Sequence, residues 1–308
     1  MTRRQGSPLV WLALGLLGLA TPAWADDPKF TYNQQEDTKG KVIWKAAVQA
    51  GLVLNTGNAN SFAFTAGGTG SMLDGWNRLQ LDVNGSYARA TVIGTDVPGG
   101  GTVIDNENEI THTTSTSAEL WNLKLRYDRF LSKNNSLYAT AFASGNKPAG
   151  IVVATGGQVG YSRQLFKSDM HLLVAELGYD FTYQDNVGSS TTSLDIHSLR
   201  MFAGYTITLS KEVGIATGVE ILGNLNSLPG YTPSTTVGAF GNTRVNANAA
   251  LNARIWKNIG FQLSFLARYT NNPAPLPAIA GYTFADGFVP RAQRLDTVTS
   301  LSLVITLL

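Results

Sequence analysis

Between Thr243 and Thr270 the chain alternates. Val245, Ala247, Ala249, Leu251, Ala253 and Ile255 take every second position, with Arg244, Asn246, Asn248, Asn252 and Arg254 between them. After Lys257-Asn258 the pattern resumes with Ile259, Phe261, Leu263, Phe265, Ala267 and Tyr269, set mostly between Gln262, Ser264, Arg268 and Thr270. A period of two puts successive side chains on opposite faces of an extended strand, so each strand has one dry face and one wet face. The same alternation recurs in about twelve segments from Val42 to the C-terminus. Short turns near residues 75, 133, 168, 211 and 257 alternate with longer connections near 100, 190, 234 and 280. The first and third connections on the long-loop side, near 57 and 147, are short. The pattern predicts an all-β, antiparallel, up-and-down transmembrane barrel of about twelve strands, with the turns and both termini on the periplasmic side.

The opening residues carry a different signal. Arg3 and Arg4 precede the apolar run Leu9–Ala20, and Ala23-Trp24-Ala25 offers a small-x-small cleavage site before Asp26. Residues 1–25 are expected to be a secretory signal peptide; the apolar run is too short to span a bilayer comfortably as an uncleaved anchor. Residues 26–41 (DDPKFTYNQQEDTKGK) read as a short periplasmic segment, and residues 42–308 as the barrel. The expected location is the bacterial outer membrane. There is no cysteine, so no disulfide framework and no thiol chemistry.

Charge narrows the partners. The chain has 23 Lys+Arg and 21 Asp+Glu, and loss of Arg3 and Arg4 with the leader leaves 21 against 21. A neutral mature chain argues against nucleic acid and against a polybasic membrane surface. Charged residues make up 14% of the sequence, against roughly 25% in soluble domains. A barrel with one apolar residue in every two accounts for that deficit.

Aromatic residues give a second, independent pattern. Under this topology Trp44, Trp76, Tyr127, Tyr161, Tyr205 and Trp256 fall near periplasmic strand ends, and Tyr87, Tyr179, Tyr183 and Tyr269 near outer ends. Two rings of Trp and Tyr are the girdles of a membrane barrel. A soluble barrel would instead pack its apolar face inward.

At Trp44–Ser61 (WKAAVQAGLVLNTGNANS) the chain resembles the salt-induced outer-membrane protein family, which is defined by a domain of unknown function. The shared marks are the Trp opening the first strand, Gly51 in mid-strand, and Thr56-Gly57-Asn58 followed by Asn60-Ser61. Leu123–Ala139 (LKLRYDRFLSKNNSLYA) and Gly156-x-x-x-Gly160-Tyr161-Ser162-Arg163 extend the resemblance over most of the mature chain. It implies an outer-membrane barrel and carries no activity or site residues. One departure is the C-terminus, Thr306-Leu307-Leu308, where such barrels usually end on an aromatic that the assembly machinery reads.

The candidate functional residues are the inward charges: Arg78, Asp82, Lys124, Arg126, Asp128, Glu176, Asp180, Arg200, Glu220, Arg244, Arg254, Arg268, Arg294 and Asp296. Two readings stand. They line a narrow passive channel for small polar solutes, or they pair with one another and close the lumen of a structural or envelope-stress barrel. A third reading, a lipid hydrolase at the outer rim, would use Asp195 and His197 with a nearby Ser, but a lone Asp-x-His is a weak signal. His112 and His171 suggest no chemistry. Asp105, Glu107 and Glu109 lack the spacing of a calcium loop and read as a solvated acidic loop. No cofactor and no metal are expected. The expected partners are outer-membrane lipid, the barrel-assembly machinery during biogenesis, and small polar solutes. The leader generates the first prediction: intact-mass and N-terminal analysis of protein from membranes finds Asp26 as the first residue, and a chain retaining Met1 would refute it.

Overall fold

The computed structural model describes residues 40–55, 61–95, 110–187, 193–232, 234–275, 289, 291, 292 and 294–307. The leader and most of the periplasmic segment lie outside the described residues. The strands are β1 (Ile43–Asn55), β2 (Ser61–Asp74), β3 (Asn77–Thr95), β4 (Ile110–Ser132), β5 (Asn135–Asn146), β6 (Ile151–Lys167), β7 (His171–Asn186), β8 (Ser193–Thr208), β9 (Val213–Asn224), β10 (Leu228–Pro229), β11 (Thr236–Val237), β12 (Arg244–Trp256), β13 (Ile259–Thr270) and β14 (Leu295–Thr306). The short β10 and β11 pair with each other; the other twelve form one closed barrel in which each strand is hydrogen-bonded to its chain neighbours. β9 is followed in the ring by β12, and β14 returns to β1. All pairings are antiparallel, and the closing seam is the shortest, running from Ala47 opposite Thr306 to Ala50 opposite Leu303.

Two boundaries differ from the sequence reading. The longer connection expected near residue 100 begins late and ends early, because β3 continues to Thr95 and β4 starts at Ile110, with Thr91–Thr95 paired to Ile110–Thr114. The run Thr91-Val92-Ile93 is β-branched and favours extended pairing over loop. β5, whose alternation is the weakest in the sequence, forms a full strand, with the small Ala139 and Ala141 facing outward and Tyr138 facing inward. Its polarity pattern is faint because small residues cover its outer face.

The outer wall is apolar in every sector. Leu79, Leu81 and Val83 on β3, Leu123 and Leu125 on β4, Leu251 on β12, Phe261, Leu263 and Phe265 on β13, and Leu301 and Leu303 on β14 are all exposed. Cross-strand register aligns them in belts, with Leu251 opposite Leu263 and Leu263 opposite Leu301. The inward positions between them carry Gln, Ser, Asn, Asp, Glu and Arg, and most are buried. A closed ring of strands leaves no backbone edge, which is the condition for such a surface to lie in hydrocarbon. Among the described residues no helix is long and apolar enough to cross a membrane.

At the loop end the β9–β12 connection turns into the mouth of the barrel. Leu228 and Tyr231 pack on Leu194 and Ile196, the inward residues at the start of β8, and on Ala274 after β13. Burial pushes the Tyr231 phenol up to about 12, against the opposing pull of Arg291, whose guanidinium lies over the ring.

The lipid-facing belt generates a stability prediction. Leu263→Arg is expected to cost about 2–4 kcal/mol, the range for a cation at mid-bilayer on a barrel wall. Urea unfolding in lipid vesicles measures it; an unchanged midpoint would mean that this face is not in hydrocarbon.

Candidate functional site

Inside the barrel, in the half nearer the tight turns, six strands send side chains into one buried knot. Glu176 of β7 is its centre. Arg126, three strands away on β4, meets Glu176 with both terminal nitrogens, Nη1 to Oε2 at 3.1 Å and Nη2 to Oε1 at 2.7 Å. Arg200 of β8 takes the other side, with Nη1 at 2.8 Å from Glu176 Oε2 and Nε donating to Glu220 Oε1 of β9 at 2.6 Å. Arg126 Nε also donates to Asp128 at 3.0 Å, and Asn246 of β12 donates to Glu220 at 2.9 Å. Arg126 and Arg200 keep 3% and 1% of their surface exposed. Fork-shaped guanidinium groups on carboxylates give the strongest directed contacts available to side chains.

Tyr138 of β5 fills the space between the two arginines. The Arg126 guanidinium carbon lies 4.4 Å from its ring centroid, that of Arg200 lies 5.4 Å away, and Arg200 Nη1 donates to its hydroxyl at 2.8 Å. The ring is accommodated because Gly160 of β6 and Gly178 of β7 face it. A Cβ at Gly160 would meet Tyr138 Oη at 2.6 Å, and one at Gly178 would come closer still. Sequence reasoning overlooked Tyr138. The signal was present in Gly160 and Gly178, inward glycines that leave a groove one aromatic ring deep.

The rest of this half is filled by shorter groups. Gln262 bonds Asn252 at 2.8 Å and Ser264 bonds Ser300 at 2.7 Å. Gln80, Ser136, Ser162, Ala250, Ser302 and Thr306 are buried on the remaining sectors. On these sectors protein side chains occupy the lumen at this level.

Toward the loop end the lumen widens into a cavity of about 390 Å³, whose lining includes Asp82, Lys124, Gln158, Asp180, Glu220, Arg244, Arg268 and Arg294. The acids there are held. Asp82 accepts from Thr69 at 2.7 Å and from Gln80 at 3.0 Å. Asp180 accepts from Gln158 and Thr182, each at 2.9 Å, and from Arg244 at 3.3 Å.

The candidate residues thus fall into three groups. Arg126, Asp128, Glu176, Arg200 and Glu220 meet in the knot. Asp82, Lys124, Asp180, Arg244, Arg268 and Arg294 surround the cavity, and Arg78 reaches Gln80 at 2.6 Å below it. Arg254 departs from expectation. It sits near the turn end of β12, donates to the Lys211 carbonyl at 2.5 Å and approaches Glu212 at 4.0 Å, because its long side chain reaches the polar β8–β9 turn. For Asp296 only the backbone is described, paired with Arg268 across β13 and β14.

The aromatics placed in the girdle all lie exposed on the outer wall. Several are tethered to a neighbouring strand: Tyr127 donates to Asn77 at 2.7 Å, Tyr205 pairs with His171 at 2.7 Å, and Tyr161 donates to Asn135. Tyr179 differs from its expected place at the outer end. It sits midway along β7, paired opposite Leu199, with its hydroxyl on His197 Nδ1. His197 is thereby engaged on the lipid-facing wall, while Ser198 points inward and is fully buried. Among the described residues no hydrogen bond joins Asp195 and His197 to a serine. His112 has no described side chain, and Asp105, Glu107 and Glu109 lie outside the described residues.

Over residues 48–305 the sequence matches the family described as "Protein of unknown function, DUF481", and the chain belongs to that family. No curated protein sequence matches it. Among solved structures it is similar to an outer-membrane channel from Pseudomonas putida F1, at 11% identity and TM-score 0.43, covering 92% of this chain and 100% of that one. The NanC porin gives 9% identity and TM-score 0.44 over 86% and 100%. A Pseudomonas aeruginosa FadL homologue gives 12% identity and TM-score 0.37 over 86% and 75%.

Glu176 is shared by two buried arginines, so its removal strands both. Glu176→Ala is expected to cost about 3–5 kcal/mol, as when one partner of a buried pair is lost. Denaturant titration of the barrel in lipid vesicles checks this. A loss below about 1 kcal/mol, the range of exposed pairs, would mean that water reaches the knot.

Proposed function

We propose that this protein is an outer-membrane barrel whose lumen is closed at rest, and that solute passes only when the Arg126–Glu176–Arg200–Glu220 knot is displaced. The observation that carries this reading is the knot: two arginines and their carboxylate partners, all but out of contact with water, at a level where neighbouring strands also bury their inward side chains. An ion moving through that level would have to replace contacts made by fully desolvated charges, which is a steep barrier. The apolar belts and tethered aromatics support the membrane location, and the leader-like N-terminus supports export to the outer membrane. The cavity above the knot is a chamber toward the loop end with charged side chains set in a partly apolar wall, suited to receive a small polar solute.

Purified barrel in a planar bilayer is expected to show no sustained conductance steps. Replacing the plug side chains together, Tyr138→Ala with Arg200→Ala, is expected to produce them. Steady conductance by the unaltered protein would overturn the closed-lumen reading.

A further inference from the structure

Four cations line the loop-end cavity: Lys124, Arg244, Arg268 and Arg294. Three of them come from adjacent sheet positions. Arg244 starts β12 and pairs opposite Thr270; the Thr270 amide donates to the Arg294 carbonyl at 2.8 Å; Arg268 lies two residues before Thr270 on β13. The side chains are thus gathered on one wall. Lys124 approaches from β4, at the floor of the cavity, half-buried and without a hydrogen bond or ion pair among the described residues.

The acids in the same cavity are already committed. Asp82, Asp180 and Glu220 each accept two or more hydrogen bonds from the protein. Buried groups of both kinds remain unmatched in its wall: the donors Arg244 Nε and Asn272 Nδ2 have no partner. Three acceptors, Gln49 Oε1, Gln158 Oε1 and Asn242 Oδ1, are left with them. A buried polar atom without a partner costs about 1–3 kcal/mol, so a ligand that supplies the missing contacts binds with that cost removed. The volume is within the ordinary range for small-molecule sites.

We propose that this cavity binds a small oxyanion, a carboxylate or a phosphate, that also carries hydroxyl groups. Its negative oxygens face Arg244, Arg268, Arg294 and Lys124, and its hydroxyls donate to Gln158 and Asn242. The proposal rests on the closed-lumen reading for the floor of the chamber and adds the class of solute that the chamber takes.

The test is calorimetric titration of the refolded barrel with citrate, gluconate, inorganic phosphate and, as an uncharged comparison, glucose. At least one of the three anions is expected to bind saturably and more tightly than glucose, with affinity that falls as salt is added. Lys124→Gln, and separately the pair Arg268→Gln with Arg294→Gln, are expected to weaken it roughly tenfold or more, as charge-assisted contacts are lost. Heat-modifiable gel migration confirms that each variant is a folded barrel. Preference for phosphate or for the carboxylates assigns the source of the oxyanion. Absence of saturable binding by all three anions, glucose binding as tightly as they do, or unweakened binding by both folded variants would overturn the site. Conductance separates the two proposals: a barrel that conducts yet binds anions loses the closed resting state and keeps the site, and a silent barrel that binds none does the reverse.

Discussion

Backbone closure governs this molecule. In hydrocarbon a peptide group has no water to bond, so a sheet can lie there only as a ring in which every strand has two partners. The twelve-strand barrel meets that condition through the seam between β14 and β1. Closure then divides each strand's side chains into an outer set that meets lipid and an inner set that meets only other inner side chains. The apolar belts and the polar lumen are two consequences of the same geometry.

The ring is narrow, so the inner set cannot remain separately hydrated. Arginines on β4 and β8 reach a carboxylate on β7, and Tyr138 takes the remaining space against Gly160 and Gly178. Burying charge has a large desolvation cost that pairing only offsets. The knot is therefore better understood as a closure with defined geometry than as a source of net stability. Where the lumen widens above it, pairing is incomplete, and both donors and acceptors are left without a partner.

The outer wall shows the same economy of polar groups. Several phenol hydroxyls and histidine nitrogens that face outward are tied to each other or to asparagine across adjacent strands, as in Tyr205–His171 and Tyr127–Asn77. Such tethers let an aromatic ring lie against lipid without leaving its hydroxyl unpaired. His197 belongs to this set through Tyr179.

The strand count, the sense of each face and the short turns were legible in the sequence, because a period of two is written residue by residue and needs no knowledge of partners. Inward charges were legible for the same reason. Which of them meet was not. Arg126 and Glu176 stand fifty positions apart on strands that are not neighbours, and only the curvature of the closed ring sets them face to face. Tyr138 was hidden because β5 hides its outer face under alanine, so its inward aromatic reads as noise until Gly160 and Gly178 are seen beneath it. Arg254 shared the parity of the lumen residues, but its height, at the rim beside the β8–β9 turn, gave it to another partner. Alternation along one strand specifies a face; the depth at which a side chain sits, and what lies across the lumen from it, follow from tilt, register and closure, which belong to the ring as a whole.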